Sequence, residues 1–314
     1  MDIRVTRLIV LTGLLVTAAG LFAQQAPAPP APSTKEQLAH FHHLHLNSVD
    51  PEKAIAYYTK HFASERAQFR KSPGDKGVPA VWAQKSWLLF DKVKNAPPHE
   101  VVSSIYHMGW GAEDMKAEAR RQLDIGAVLE TPLTDAVDIF GAGIRDRNFF
   151  MYLESPEHAL IEVQSATHHN FMHVHMLSED PAAAADWYEK AFGFVRRGPP
   201  NRQARIFAGV PTGPSASLIA DNVTFFWYPT AHARTLYPTA WNGRSEYASN
   251  RGRVIDHVGL SVDRLDETIA RLTKDGVTVI GKPRTRMGGR IRSVFVKAPD
   301  NVEVEIVEGH ATQP

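Results

Sequence analysis

The chain has 314 residues, of which 43% are hydrophobic and 22% are charged, a composition typical of a globular protein of about two domains. Because 35 basic residues face 34 acidic ones, the charge balance gives no case for nucleic-acid binding or for an anionic membrane surface. The chain has no cysteine, which excludes thiol nucleophiles, thiolate metal sites and disulfides. Any bound metal must therefore be held by imidazole and oxygen ligands, and the chain contains fifteen histidines.

The N-terminal segment has the pattern of an export signal. Arg4 and Arg7 precede an uncharged apolar run over 8–22, and small residues follow, so we expect a signal peptide over 1–23. An uncleaved anchor is the alternative, although the run is shorter than the roughly 20 residues of a membrane span. Residues 24–37 are rich in proline and alanine and are predicted to be a linker. The protein is thus expected to be periplasmic or secreted, without membrane association after cleavage.

An internal repeat organises the rest of the chain. The segment 50–62 recurs at 180–192 with six of thirteen positions identical. The same offset of 130 aligns His43 with His173 and His45 with His175. Two further segments begin in the same way, at His107 and His257. The sequence therefore predicts four copies of one structural unit.

Each copy is predicted to be a strand carrying the histidine, a helix and about three further strands. In copies one and three, Asp50 and Asp180 precede a proline and predict the start of the helix. In copies two and four, Gly126 and Gly276 predict its end. The expected modules cover 38–100, 101–166, 167–250 and 251–310. Modules one and two are expected to pair into a domain over 38–166, and modules three and four into its duplicate over 167–310.

Paired βαβββ units with a histidine on the first strand resemble the vicinal oxygen chelate superfamily, which includes glyoxalase I, bleomycin resistance proteins and extradiol dioxygenases. Two strand endings, 155–162 and 298–305, are similar to the family's Asp-Pro-x-Gly ending that leads to a ligand glutamate. His158 and Asn301 stand where glycine is usual, at a turn that needs positive φ. The resemblance implies an α+β fold with tandem βαβββ modules paired into two half-open barrel domains.

In this family the metal ligands come from the first and last strands of the paired modules. The resemblance therefore nominates two ligand sets, His43, His107 and Glu162 in the first domain, and His173, His257 and Glu305 in the second. The fourth ligand position of glyoxalase I falls on apolar residues in modules one and three. Two imidazoles and one carboxylate are the usual ligands of non-haem Fe(II), although Zn, Mn, Co or Ni can occupy such a site.

Three further residues are candidates for catalysis. His45 and His175 share a strand face with the first-strand histidines and are expected to line the pocket. Tyr152 lies where extradiol dioxygenases place an active-site tyrosine, and its counterpart in module four is Phe295, which cannot donate a proton. The sequence shows no clear match for the additional catalytic histidine of those enzymes.

The resulting hypothesis is an exported, metal-dependent enzyme that acts on a small oxygen-chelating substrate, with extradiol-type dioxygenase chemistry slightly favoured. A metal-dependent isomerase or lyase of glyoxalase type is one alternative. A non-catalytic small-molecule-binding protein of the resistance type is another. Four modules in one chain are consistent with a monomer or a homodimer.

Overall fold

The computed structural model describes residues 38–70, 74, 76–136 and 148–312. The expected signal peptide and linker, 1–23 and 24–37, lie outside the described residues. Within these ranges the chain forms six helices and 17 strands. In this part of the chain no helix combines the length and apolar character needed to cross a membrane.

Each module contains the predicted order of elements. Module one consists of β1 (His40–Ser48), α1 (Pro51–His61), β2 (Glu65–Phe69), β3 (Val78–Ala83) and β4 (Ser86–Lys92). Module two consists of β5 (Ile105–Ala112), α2 (Met115–Asp124), β6 (Val128–Asp135), β7 (Phe149–Glu154) and β8 (Leu160–Ser165).

Module three is the longest. It consists of β9 (Phe171–Ser178), α3 (Pro181–Phe192), β10 (Val195–Arg196), β11 (Asn201–Phe207), β12 (Val210–Ala220) and β13 (Val223–Pro229), followed by α4 (Thr230–Leu236) and α5 (Pro238–Trp241). Module four consists of β14 (Ile255–Val262), α6 (Leu265–Lys274), β15 (Val279–Arg286), β16 (Ile291–Ala298) and β17 (Val302–Glu308).

The helices begin and end where the sequence predicts. The side chains of Asp50 and Asp180 accept hydrogen bonds from backbone N–H groups in the first turns of α1 and α3, which satisfies donors that the helix itself leaves unpaired. Gly126 and Gly276, just beyond α2 and α6, have φ of 85° and 82°, a conformation that glycine adopts without strain.

The strands form two sheets, each built from two modules. The eight-stranded sheet has the order β15-β16-β17-β14-β1-β4-β3-β2, so it joins module four to module one. The nine-stranded sheet has the order β10-β12-β13-β9-β5-β8-β7-β6, with β11 on β12, and joins module three to module two. In both sheets the junction is an antiparallel pair of first strands, β1 with β14 and β5 with β9.

The predicted pairing of modules, one with two over 38–166 and three with four over 167–310, is therefore wrong. The connectors give the physical reason. Only residues 166–170 separate β8 from β9, so module three begins beside module two and pairs with its first strand. The connectors over 93–104 and 230–254 are longer and allow the chain to cross between sheets.

Strand alternation divides the side chains between the two faces of each sheet. On β5 and β9, Met108 and Val174 are buried in the main hydrophobic core, while the intervening histidines face the concave side. That core contains residues of both sheets, and Phe62 of α1 stacks on Trp110 of β5 with ring centroids 4.3 Å apart. The core therefore holds the two sheets together and leaves each concave face available for a site.

Candidate metal centres

The concave face of the nine-stranded sheet holds a buried cluster of three imidazoles and one carboxylate. Site A comprises His107, Glu162, His173 and His175. His107 Nε2 lies 2.9 Å from Glu162 Oε2, and His173 Nε2 lies 3.1 Å from the same oxygen. His175 Nδ1 is 3.9 Å away. All four side chains are buried and offer ligand atoms within 4.8 Å of one another.

The eight-stranded sheet holds a second cluster in the equivalent position. Site B comprises His43, His45, His257 and Glu305. The Nε2 atoms of His43 and His257 lie 3.3 and 3.1 Å from Glu305 Oε2 and 3.4 Å from each other. His45 stacks on His257 with ring centroids 4.6 Å apart.

All six residues that the resemblance nominated as ligands lie in these clusters, but in a different grouping. His43 lies with His257 and Glu305, not with His107 and Glu162. His173 takes the expected place of His43 in the other site. The exchange follows from the pairing of modules one with four and two with three, because each site takes its first-strand histidines from both paired modules.

Two glycines make this convergence possible. Gly109 faces His173 across the β5–β9 pair, and Gly259 faces His43 across the β1–β14 pair. A Cβ added to Gly109 would come within 2.0 Å of His173 Nε2, and one added to Gly259 within 2.0 Å of His43 Cε1. Each imidazole therefore occupies the space above a glycine. The position of Gly109 and Gly259 in modules two and four is taken by His45 and His175 in modules one and three. A module with glycine at this position therefore pairs with a module that has histidine there, and this was the sequence signal for the correct pairing.

The donor geometry of site A fits a divalent metal. Two ligand atoms that bind one ion at about 2.1 Å and at right angles lie about 3 Å apart, as the contacts of Glu162 Oε2 do. His173 Nε2 lies near that oxygen without hydrogen-bond geometry, and the buried Nδ1 of His175 also has no hydrogen-bond partner in the described part of the chain. Burial lowers the pKa of His107 to about 4, so its imidazole is neutral and carries a lone pair at neutral pH.

Site A also carries an uncompensated negative charge. Burial raises the pKa of the Glu162 carboxyl, but the adjacent imidazoles of His107 and His173 outweigh it and hold the pKa well below its usual range. Among the described residues, no lysine or arginine lies within ion-pair distance of Glu162. A buried, ionised carboxylate without a basic partner is destabilising unless a cation compensates it, and a divalent metal at the convergence point would supply that cation.

Site B has its charges balanced by arginines. Arg286 Nε lies 3.2 Å from Glu305 Oε1, and Arg251 Nη1 lies 2.5 Å from Asp256 Oδ1. Burial lowers the pKa of His257, but hydrogen bonds to Asp256 and Glu305 raise it by more, and the net shift is upward. Glu305 and Asp256, the two carboxylates that contact His257, therefore each have a guanidinium partner, and the His257 imidazole favours a proton.

The two concave faces differ in what fills them. Site A opens onto a cavity of about 790 Å³. The space inside the other sheet is filled by a hydrophobic cluster in which Trp87 packs on Trp82 and Phe69, with ring centroids 4.8 and 5.1 Å apart. Only site A therefore combines a ligand set with room for a small molecule, as far as the described residues show.

The three predicted catalytic residues lie at these sites. Tyr152 lines the cavity with its ring 5.0 Å from that of His107, and Phe295 has the same 5.0 Å contact with His257. His175 also lines the cavity and stacks on Phe226 at 5.1 Å. Phe226 pairs with His175 across β13 and β9, as Glu162 pairs with Gly109 across β8 and β5, so Phe226 occupies the position of the missing fourth ligand.

His45 is placed differently, because its Nε2 lies 3.3 Å from Oδ2 of the exposed Asp91 and not beside the cavity of site A. The two turns that lack glycine do adopt the expected backbone conformation. His158 has φ of 64° and Asn301 has φ of 59°. Each turn reverses the chain immediately before the strand that carries the ligand carboxylate, β8 or β17, so both residues accept a left-handed conformation that aligns that strand.

His232 is a cavity residue that the sequence did not indicate. It lies on α4, and its ring stacks on Tyr228 at 4.6 Å and an interplanar angle of 4°. Its Nδ1 lies 2.9 Å from the carbonyl oxygen of Pro211. Because a carbonyl oxygen only accepts, Nδ1 donates, and Nε2 keeps the lone pair of the neutral ring. Burial lowers the pKa of His232 despite that bond, so the ring is neutral and its Nε2 is unprotonated.

The comparisons with known proteins agree with this architecture. Residues 170–306 match the family model Glyoxalase/Bleomycin resistance protein/Dioxygenase superfamily. Glyoxalase I from Zea mays has 15% sequence identity, a TM-score of 0.61 and coverage of 86% of this chain and 92% of its own. A proposed dioxygenase from Bacillus subtilis subsp. subtilis str. 168 has 12% identity, a TM-score of 0.55 and coverage of 87% of this chain and 86% of its own. No curated protein matches the chain significantly.

Residues 170–306 therefore belong to the glyoxalase/bleomycin resistance protein/dioxygenase superfamily, and the solved structures extend its fold over most of the chain. The family resemblance and the α+β fold of tandem modules in half-open barrels are thus confirmed. At these identities the solved structures establish the fold alone, and the reaction depends on the chemistry of the site.

Replacement of Gly109 by alanine should disrupt site A selectively. The new methyl group would overlap the His173 imidazole and displace it from the convergence point. We expect the Gly109→Ala variant to remain folded but to bind Fe(II) or Zn(II) about 10-fold or more weakly at site A, as judged by the cost of disturbing groups that orient metal ligands. Calorimetric metal titration measures this, with Gly259→Ala as the matched control at site B. Unchanged affinity in Gly109→Ala would contradict the assignment.

Proposed function

We propose that site A binds a divalent metal, with Fe(II) as the first candidate, and that the protein is an enzyme that oxidatively cleaves a small substrate with two adjacent oxygens. The observation that carries the proposal is the buried, ionised Glu162, which has no basic partner among the described residues and lies among imidazoles at the base of a large cavity. Zn, Mn, Co or Ni remain alternative occupants of such a donor set.

A metal in site A would supply Lewis acidity to the substrate oxygens and, as Fe(II), one-electron chemistry with dioxygen. His107, His173 and Glu162 would hold it, with His175 close enough to serve as a further ligand. The other residues of the cavity then determine where the substrate lies and where its protons go.

His232 is the residue best placed to move a proton. Its donated Nδ1 hydrogen bond fixes the ring, and its unprotonated Nε2 can accept a proton from a substrate hydroxyl group. The Tyr152 hydroxyl can donate a hydrogen bond, because burial raises its pKa well above the usual range and keeps it protonated. Phe226 and Tyr228 line the adjacent wall and exclude water.

Ring-cleaving dioxygenation is favoured over the alternatives because Phe226 replaces the fourth ligand, and two imidazoles with one carboxylate are the usual ligands of non-haem Fe(II). In such a reaction one dioxygen is consumed per ring opened, both of its atoms enter the product, and no external reductant is required. A proton-transfer isomerase needs a base and a metal but has no requirement for dioxygen. A resistance-type binding protein needs neither turnover nor an ionised buried ligand set. Oxygen consumption therefore separates the three hypotheses.

Site B is proposed not to catalyse. Arg286 and Arg251 pair with its carboxylates, and both guanidinium groups pack over Phe295 at 5.1 and 4.1 Å from the ring centroid. The filled barrel leaves no comparable space for a substrate. We therefore assign the balanced charges of site B to the stability of the eight-stranded sheet.

The two glutamates should respond differently to the same substitution. Glu162→Gln removes the charge that attracts the metal, so we expect loss of one bound metal per chain and a fall in kcat of about 100-fold or more. Glu305→Gln should leave metal content and kcat within about twofold, although it should lower stability. Metal analysis of protein reconstituted without oxygen, with steady-state kinetics, measures both. The reverse pattern would place the active centre at site B.

His232→Gln should impair chemistry rather than binding. Loss of a general base typically costs about 100-fold or more in kcat, while KM and metal content should change little. The assay is oxygen consumption by metal-loaded protein with catechols, alongside isomerisation assays with 2-oxo and 2-hydroxy compounds. His169→Gln, at an exposed position, is the control. Full activity in His232→Gln would remove its role, and turnover without oxygen uptake would favour the isomerase.

We also propose that the protein is exported. The support is the basic N-terminus followed by the apolar run over 8–22. Expression of the full chain in a Gram-negative host should give periplasmic protein whose N-terminus, determined by mass spectrometry, begins near residue 24. Cytoplasmic protein that retains residues 1–23 would contradict export.

A further inference from the structure

The cavity above site A contains a cation that metal binding does not use. Of the described residues that line the cavity, Glu162 and Arg197 are the ones with permanent charges. Glu162 belongs to the ligand set. Arg197 is exposed where it lines the cavity, and no described carboxylate lies within ion-pair distance of it; its Nη1 donates a hydrogen bond to Thr224 Oγ1, at 3.3 Å.

The neighbouring Arg196 differs from Arg197, because it has carboxylate partners and does not line the cavity. Arg196, the last residue of the short strand β10, points to the helix side and pairs with Asp186 and Glu189 of α3. Arg197 follows the strand and lines the cavity on the concave side. The backbone N–H of Arg197 also bonds to the Ser217 carbonyl oxygen at 3.3 Å, which fixes the base of its side chain at the cavity wall.

The position of Arg197 relative to site A is set by the sheet. Its partner Thr224 pairs with His173 across β13 and β9, and adjacent strands lie about 4.8 Å apart. The guanidinium group therefore lies beside the strand row that bears a ligand of site A. A ligand that reaches from the convergence point to Arg197 has to be small.

Aromatic rings line the space on both flanks of site A. Phe226 and Tyr228 project from β13 on one flank, and Phe150 and Tyr152 project from β7 on the other. Such walls favour a flat, apolar body. A guanidinium group presents a planar fork of donors that matches a carboxylate.

We propose that the substrate of site A is a planar aromatic acid, with Arg197 binding its carboxylate and the rings of β13 and β7 enclosing its body. This inference deepens the proposed function and rests on it for the role of site A. The carboxylate subsite itself depends only on Arg197, so the two ideas can fail separately.

Matched acid and amide ligands test the subsite directly. Isothermal titration calorimetry without oxygen, on the full metal-loaded chain, compares 3,4-dihydroxybenzoate with 3,4-dihydroxybenzamide. We expect the acid to bind about 10- to 100-fold more tightly, which is the range for a hydrogen bond to a charged group. Arg197→Gln should abolish this preference and leave amide affinity unchanged, and Arg197→Lys should retain part of it. Arg202→Gln, at an exposed position on β11, should behave as the parent protein.

Equal affinity for acid and amide in the parent protein, or a preference that survives in Arg197→Gln, would overturn the subsite. The pair benzoate and benzamide, measured on metal-free protein, separates this outcome from failure of the proposed function. If metal fails to bind but benzoate is still preferred through Arg197, the subsite stands and the metalloenzyme falls. If the metal-loaded protein turns over substrate but shows no preference for the acid, the metalloenzyme stands and the carboxylate subsite falls.

Discussion

The contact of an imidazole with a glycine across two first strands is the feature on which both sites depend. His173 lies over Gly109, and His43 lies over Gly259, because the first strands of different modules pair antiparallel. Any side chain at the glycine would displace the ring. The same register brings the last-strand glutamate alongside, since Glu162 pairs with Gly109 and Glu305 with Gly259. One backbone arrangement thus places two imidazoles and a carboxylate at a common point in each sheet.

Electrostatics then separates two sites that share this geometry. A carboxylate removed from water is strongly destabilising unless a cation compensates it. At site B the compensation is built into the chain, through Arg286 at Glu305 and Arg251 at Asp256. At site A the described chain provides none for Glu162, so a bound cation would stabilise the fold as well as react. The cavity lies at site A, which lacks the arginine partners. This arrangement is consistent with a reactive centre at site A and a structural centre at site B.

The sequence predicted the residues of the sites better than their grouping. The repeat identified the histidine on the first strand of each module, and the family resemblance added Glu162 and Glu305 on the last strands of modules two and four. It could not state which modules share a sheet, since every first strand has the same free edge for pairing. The short connector over 166–170 and the alternation of His175 with Gly109 carried that information. A connector of five residues can join only neighbouring strands, so its length constrains which modules pair.

His232 and Arg197 show a different limit. Both lie in parts of module three without a counterpart in the repeat, His232 on α4 and Arg197 directly after the short strand β10, so comparison between modules gave no reason to select them. Their roles arise from the curvature of the nine-stranded sheet, which brings β10, β13 and the start of α4 over the first strands. Duplication therefore accounts for the metal ligands, whereas the residues proposed to handle protons and select the substrate belong to the divergent part of one module. This asymmetry is the basis for proposing different functions for two barrels that share a ligand set.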